Sequence, residues 1–236
     1  MAQTPRAYAE PDANKPAADP PMTMEMFLDK LMMAESGGRA FAKNPLSTAV
    51  GPFQFIASTW LQVARETFPD EIKDLKPHEI LALRTDAGFS RRAAHRYTMN
   101  NAAWLVANGH KATFPNLRLA HLVGAGGAVR VLSAEPKAKV ATLLGSTVIG
   151  ANPFMANMTA EDLIARSARD ISTSASLDTI VNPNHDAIAA AKAIKVKARA
   201  LPAIAVNCDL SLPSCRKWLA LAKRRASGKR QRQAAR

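Results

Sequence analysis

The sequence predicts an all-α protein, and three observations carry that prediction. Apolar residues recur at three- and four-residue intervals rather than in alternation. Alanine is abundant, and alternating β-branched runs are nearly absent. Glycines and prolines fall at the ends of the periodic segments, where helices stop and start. With 236 residues, 47% of them hydrophobic, the chain can hold one medium domain with tails, or two small ones. It contains no run of about 18 apolar residues, so nothing in it is expected to span a bilayer.

Residues 1–21 are polar, carry Pro11, Pro16, Pro20 and Pro21, and lack the apolar centre of a secretory signal. They predict a disordered leader. If the protein is exported, either its signal has been removed or it uses another route. Thr23 then precedes a stripe of Met24, Phe27, Leu28, Leu31 and Met32 at helical spacing, which predicts a helix closed by Gly37 and Gly38. Glu35 falls in its last turn. Residues 39–57 read as a loop. Ser58 is the expected N-cap of a helix that buries Trp60, Val63, Ala64 and Phe68 and stops at Pro69. Pro77 opens a long amphipathic stretch that Gly88 would interrupt, and a shorter helix is expected from Asn100 to Asn108, ended by Gly109. Pro115 starts another helix, the glycines at 124, 126 and 127 break it, and a further helix covers about 128–133. Short helices follow at 137–146 and 159–169. Residues 171–185 read as a linker, 186–200 as a basic alanine-rich helix, and the end as a charged tail.

Charge divides the chain the same way. The net charge is +13, and residues 190–236 carry 13 Lys and Arg against one acid, Asp209. The excess therefore belongs to the extension, where it favours anionic wall polymer or a membrane surface. Nucleic acid is disfavoured, because Trp218 alone interleaves the charges and no recognised module is present. Cys208 and Cys215, with six residues between them, suit either a small disulfide loop in an oxidising compartment or two unpaired thiols. They lack the partners a zinc site needs, and no two histidines share metal-ligand spacing on one helix, so neither metal nor cofactor is expected.

The chemistry concentrates between Glu35 and Gln54. A single carboxylic acid at a helix C-terminus, beside apolar Met32, Met33, Phe53 and Phe55, suits general acid catalysis, because burial and the helix dipole both favour a protonated carboxyl. Cleaving a glycosidic bond needs such an acid and stabilisation of an oxocarbenium-like centre. A two-carboxylate glycosidase also needs a second acid. Asp29 lies on another side of the same helix, and no acid occurs between Glu35 and Glu66. Ser47 and Thr48 read as loop caps, and Trp60 and Trp104 as core.

E-S-G-G at 35–38, G-P-F-Q at 51–54, S-T-W at 58–60 and A-H-L-V-G-A-G-G at 120–127, in that order, resemble the lytic transglycosylase (SLT domain) family of goose-type lysozyme-like fold, over about residues 24–133. The resemblance implies a lysozyme-like helical domain over 22–170, with 171–236 as linker and basic extension. It implies Glu35 as acid/base, positioned by Ser36, and a glycan-binding turn of Gly51, Phe53 and Gln54. The implied activity is cleavage of the MurNAc–GlcNAc β-1,4 bond of peptidoglycan with 1,6-anhydromuramoyl ends, in the periplasm or cell envelope, with an envelope-machinery protein as a candidate partner. His121 and Leu122 stand where the family has Tyr and Asn, and the family's later tyrosine is absent, since Tyr8 and Tyr97 both precede the motif. His121 either orients Glu35 or is a satisfied histidine facing the cleft. A peptidoglycan-binding module with a weakened site and a lysozyme-type hydrolase are the alternatives.

Overall fold

The computed structural model describes residues 19–199. The regular structure in that span is helix, with isolated bridges and no strand among the described residues. The basic tail, Trp218, Tyr8 and the Cys208–Cys215 segment lie outside it, as does most of the leader.

Helix α1 (Met24–Ser36) starts on Thr23, whose side chain accepts from the Met26 amide at 3.2 Å. It ends on Gly37 in the left-handed region (φ 62°), whose amide donates to Met33 O. Helix α2 (Ala57–Thr67) differs from expectation at its start. Ser58 lies inside the first turn, and the cap oxygen comes from Thr48, which accepts from the Ala57 amide at 3.1 Å. A distant loop residue thus does what the local sequence suggested Ser58 would do. Helices α3 (Pro69–Ile72) and α4 (Pro77–Ala82) and a 3-10 turn at Leu83–Thr85 lead to α5.

Helix α5 (Ala87–Ala107) joins two segments that the sequence separates. The break falls at Asp86, whose Oδ1 accepts from the Phe89 amide at 2.8 Å, and Gly88 is inside the helix. Asn100 does not interrupt it, because its side chain turns outward and donates to Glu66 at 2.7 Å. The buried face of α5 is mostly small, with Ser90, Ala93, Ala94, Thr98, Ala102 and Ala103 beside Asn101 and Leu105. Small residues let neighbours approach closely, and α1, α2, α6, α7 and α11 all pack on it. A central helix of this kind shows only a weak apolar stripe in sequence.

Helices α6 (Phe114–Val123) and α7 (Ala125–Leu132) meet at Gly124. Short helices α8 (Val140–Leu144) and α9 (Ser146–Ala151) precede α10 (Ala160–Asp170), which begins with a Thr159–Asp162 capping box. The stretch read as linker is irregular but held to the body. Ile171 and Ala175 are buried in the core. Met22 N donates to Ser176 O, Ser176 N to Pro20 O, and Val181 N to Ala112 O. Helix α11 (His185–Arg199) then packs against α5.

The core joins Phe27, Leu31, Trp60, Phe114, Leu117 and Leu163 from four helices. Trp60 is fully buried and donates to Ile80 O at 2.6 Å, so its role is packing, as its spacing predicted.

Candidate active site

Glu35 is placed by the end of α1. The last turn is tied off by its own neighbours: Ser36 Oγ donates to Met32 O at 3.2 Å, and Arg39 Nε donates to Ser36 O at 2.9 Å. Ser36 is 4% exposed. Its hydroxyl serves the helix end and faces no open cleft.

The loop after α1 is a set of nested turns. The Asn44 and Ser47 side chains cap the Leu46 and Ala49 amides, which for Ser47 is the expected loop-capping role. Val50 N donates to Phe55 O, and Gly51 N to Ala42 O. Gln54 sits at φ 48° and staples the turn, its Nε2 donating to Ala42 O at 3.0 Å and Gly51 O at 2.8 Å. Both partners are carbonyls, which fixes the amide orientation and leaves Oε1 as the free end of the group. Phe53 is 1% exposed, so its ring belongs to the core and only its carbonyl serves the site. Gly51 has φ 91°, and its α-carbon lies against the Arg84 carbonyl. Arg84 holds this loop from behind, with Nη1 donating to Thr48 O at 2.6 Å and Phe55 O at 3.2 Å.

The opposite wall is α6, which presents Arg118 and His121 one turn apart. Arg118 Nη1 donates to Glu35 Oε1 at 2.7 Å, and Nη2 donates to Asp170 Oδ2 at 2.9 Å. The three side chains are 5%, 14% and 18% exposed, respectively. His121 Nε2 is 3.1 Å from Phe53 O and 3.9 Å from Glu35 Oε1. A carbonyl only accepts, so Nε2 carries the hydrogen and donates to it. Burial holds the imidazole pKa below its ordinary value. The Glu35 carboxylate and the Phe53 carbonyl oppose that shift, and Arg118 reinforces it. His121 is therefore a neutral ring beside the acid, bonded to the G-P-F-Q turn. Its ring packs edge-on to Phe55 and Tyr97, at 5.8 and 5.5 Å.

The structure thus gathers Glu35, His121 and the 51–54 turn, as expected, and adds Arg118, Asp170, Arg84 and Tyr97. Arg118 had a visible signal, an arginine between Leu117 and Leu119 on an apolar helix. Tyr97 did not, because it precedes the motif in sequence and reaches the site only through the path of α5. Asp170 supplies the second carboxylate that is missing near Glu35 in sequence. Leu122 is partly buried against the core. A groove lined by Glu25, Arg91, Arg92 and His95 lies near the other end of α1 and does not include Glu35. Among the described residues no cluster of three or more His, Cys, Asp or Glu could hold a metal ion. No protein-family model matches this sequence, and no curated protein matches it.

Proposed function

We propose that the chain is a peptidoglycan lytic transglycosylase of the lysozyme-like, goose-type class, with Glu35 as general acid and then general base. The observation that carries the reading is the geometry of one carboxyl group. Glu35 is slightly exposed at a helix end, its Oε1 is held by a buried arginine, and it stands beside a turn stapled by Gln54. Because Oε1 is engaged, Oε2 is the oxygen that delivers the proton.

In this mechanism Glu35 protonates the glycosidic oxygen between MurNAc and GlcNAc as the C1–O bond breaks. The leaving sugar departs as an alcohol. Glu35, now a carboxylate, takes the proton from the 6-hydroxyl of the same muramoyl residue. That oxygen bonds to C1 and closes the 1,6-anhydro ring, so no water is consumed. The neutral His121 adds no second positive charge next to the acid. Gln54 offers Oε1 to a sugar hydroxyl or amide, while Gly51 and Phe53 shape the turn from within. The expected partners are peptidoglycan glycan strands in the periplasm or cell envelope. The basic extension is suited to anionic wall polymer or a membrane surface, and an envelope-machinery protein is a further candidate partner.

A lysozyme-type hydrolase is the second reading. Asp170 favours it, because it brings a second carboxylate to the same arginine. The two readings separate by product mass. Purified peptidoglycan is incubated with wild type and with Glu35→Gln, and soluble muropeptides are analysed. Anhydro-muropeptides from wild type alone support transglycosylation. Reducing ends support hydrolysis. Binding without release by wild type indicates a binding module and rejects both enzymatic readings.

A further inference from the structure

Two carboxylates in this fold sit where helices disfavour them. Glu35 is in the last turn of α1, and Asp170 is the last residue of α10. The partial negative charge of a helix C-terminus opposes both. Both converge on Arg118, whose guanidinium is almost wholly buried. Beyond Asp170 stands Arg166, with Nε 4.0 Å from Asp170 Oδ1 and its guanidinium 4.4 Å over the Phe154 ring. The charges therefore alternate along Glu35, Arg118, Asp170 and Arg166. Desolvated ions repay their cost poorly as stabilising devices, so a chain of them beside the candidate acid calls for a functional account.

We propose that Arg118 and Asp170 act as a positioning couple for Glu35. The inference rests on Glu35 being the acid/base. Asp170 fixes the guanidinium through Nη2, and the guanidinium fixes Oε1 of Glu35 through Nη1, so that Oε2 is presented to the glycan. The two bonds leave opposite ends of one planar group, so the carboxyl of Glu35 cannot rotate freely while both are made. Asp170 also shares the positive charge of Arg118. The other charged or titratable groups nearby are His121, neutral at 3.9 Å, Arg166 beyond Asp170, and Arg39, which donates to the Ser36 carbonyl. Tyr97 lies beyond the His121 ring.

The test uses the full chain and four variants: Asp170→Asn, Arg118→Met, Arg118→Lys and Glu35→Gln. The rate of muropeptide release is followed with kcat and KM separated. In Asp170→Asn and in Arg118→Met, kcat per folded molecule falls on the order of tenfold or more, the scale expected for a misplaced catalytic group, with apparent KM little changed. Arg118→Lys restores the charge but not the two-ended grip, so its kcat stays low. A merely structural ion pair would lower the folded fraction and leave kcat per folded molecule at the wild-type value. Wild-type kcat in folded Asp170→Asn and Arg118→Met, with Glu35→Gln inactive, overturns the couple alone. Wild-type rates in Glu35→Gln overturn the acid/base reading, and the couple's catalytic role with it.

Discussion

Gly51→Ala is the substitution whose cost the structure specifies most directly. A Cβ on Gly51 would lie 2.0 Å from the Arg84 carbonyl oxygen and 2.9 Å from its carbon, whereas real Cβ contacts under 3.0 Å essentially do not occur. The oxygen cannot swing aside cheaply. It accepts from Ser90 Oγ at 2.6 Å, and the Arg84 side chain is bonded to Leu81 O, Thr48 O and Phe55 O. Relieving the clash therefore means moving the loop or breaking several bonds. Overpacking of this kind costs about 1–3 kcal/mol. The φ of 91° adds a conformational cost of about 1–3 kcal/mol for any residue with a side chain. Together they give about 4 kcal/mol, or roughly 10 °C in Tm for a domain of this size. Urea and thermal unfolding of Gly51→Ala measure it directly. Gly37→Ala is the control: its φ is 62°, nothing lies within 4 Å of the new Cβ, and only the left-handed cost of about 1–2 kcal/mol applies. Equal destabilisation of the two variants would refute the close-approach argument.

Two further outcomes follow from the site. Gln54→Ala removes both staple bonds of the 42–54 turn, which at about 0.5–1.5 kcal/mol each predicts a loss of about 1–3 kcal/mol in urea unfolding, together with slower muropeptide release; unchanged stability would mean the staple is idle. His121 has its pKa lowered by burial, so the unfolded chain takes up its proton first. Stability should then fall as pH drops below about 6.5, at no more than about 1.4 kcal/mol per pH unit from this group. Urea unfolding between pH 7.5 and 5.5 should show a shallower dependence in His121→Gln, and identical slopes would rule His121 out as the source.

Much of the helical plan was legible in the sequence because it depends on local chemistry. Thr23, Gly37, Pro69, Gly109 and Gly124 set helix ends through their own backbone preferences and side-chain bonds. Their positions agree with the helices observed. The helix boundaries misplaced at Ser58 and Asn100 depend on partners elsewhere in the chain: Thr48 for the start of α2 and Glu66 for the outward turn of Asn100. The start of α5 is set locally, by the Asp86 cap two residues before Gly88.

The site divides along the same line. Glu35 and the 51–54 turn were visible because they lie on one short stretch whose residue types suit acid catalysis. Ser36 and Phe53 lie on that stretch too, but tertiary packing turns the first into a helix-end bond and the second into core. Arg118, Asp170 and Tyr97 come from three other helices, and their approach to Glu35 depends on how α5, α6 and α10 cross. By itself the sequence determined the helices, the candidate acid and the stapled turn. Only the tertiary structure decided which charge holds that acid and which carboxylate shares that charge, because a buried ion needs partners and the chain supplies them from whatever segment packing brings within about 3 Å.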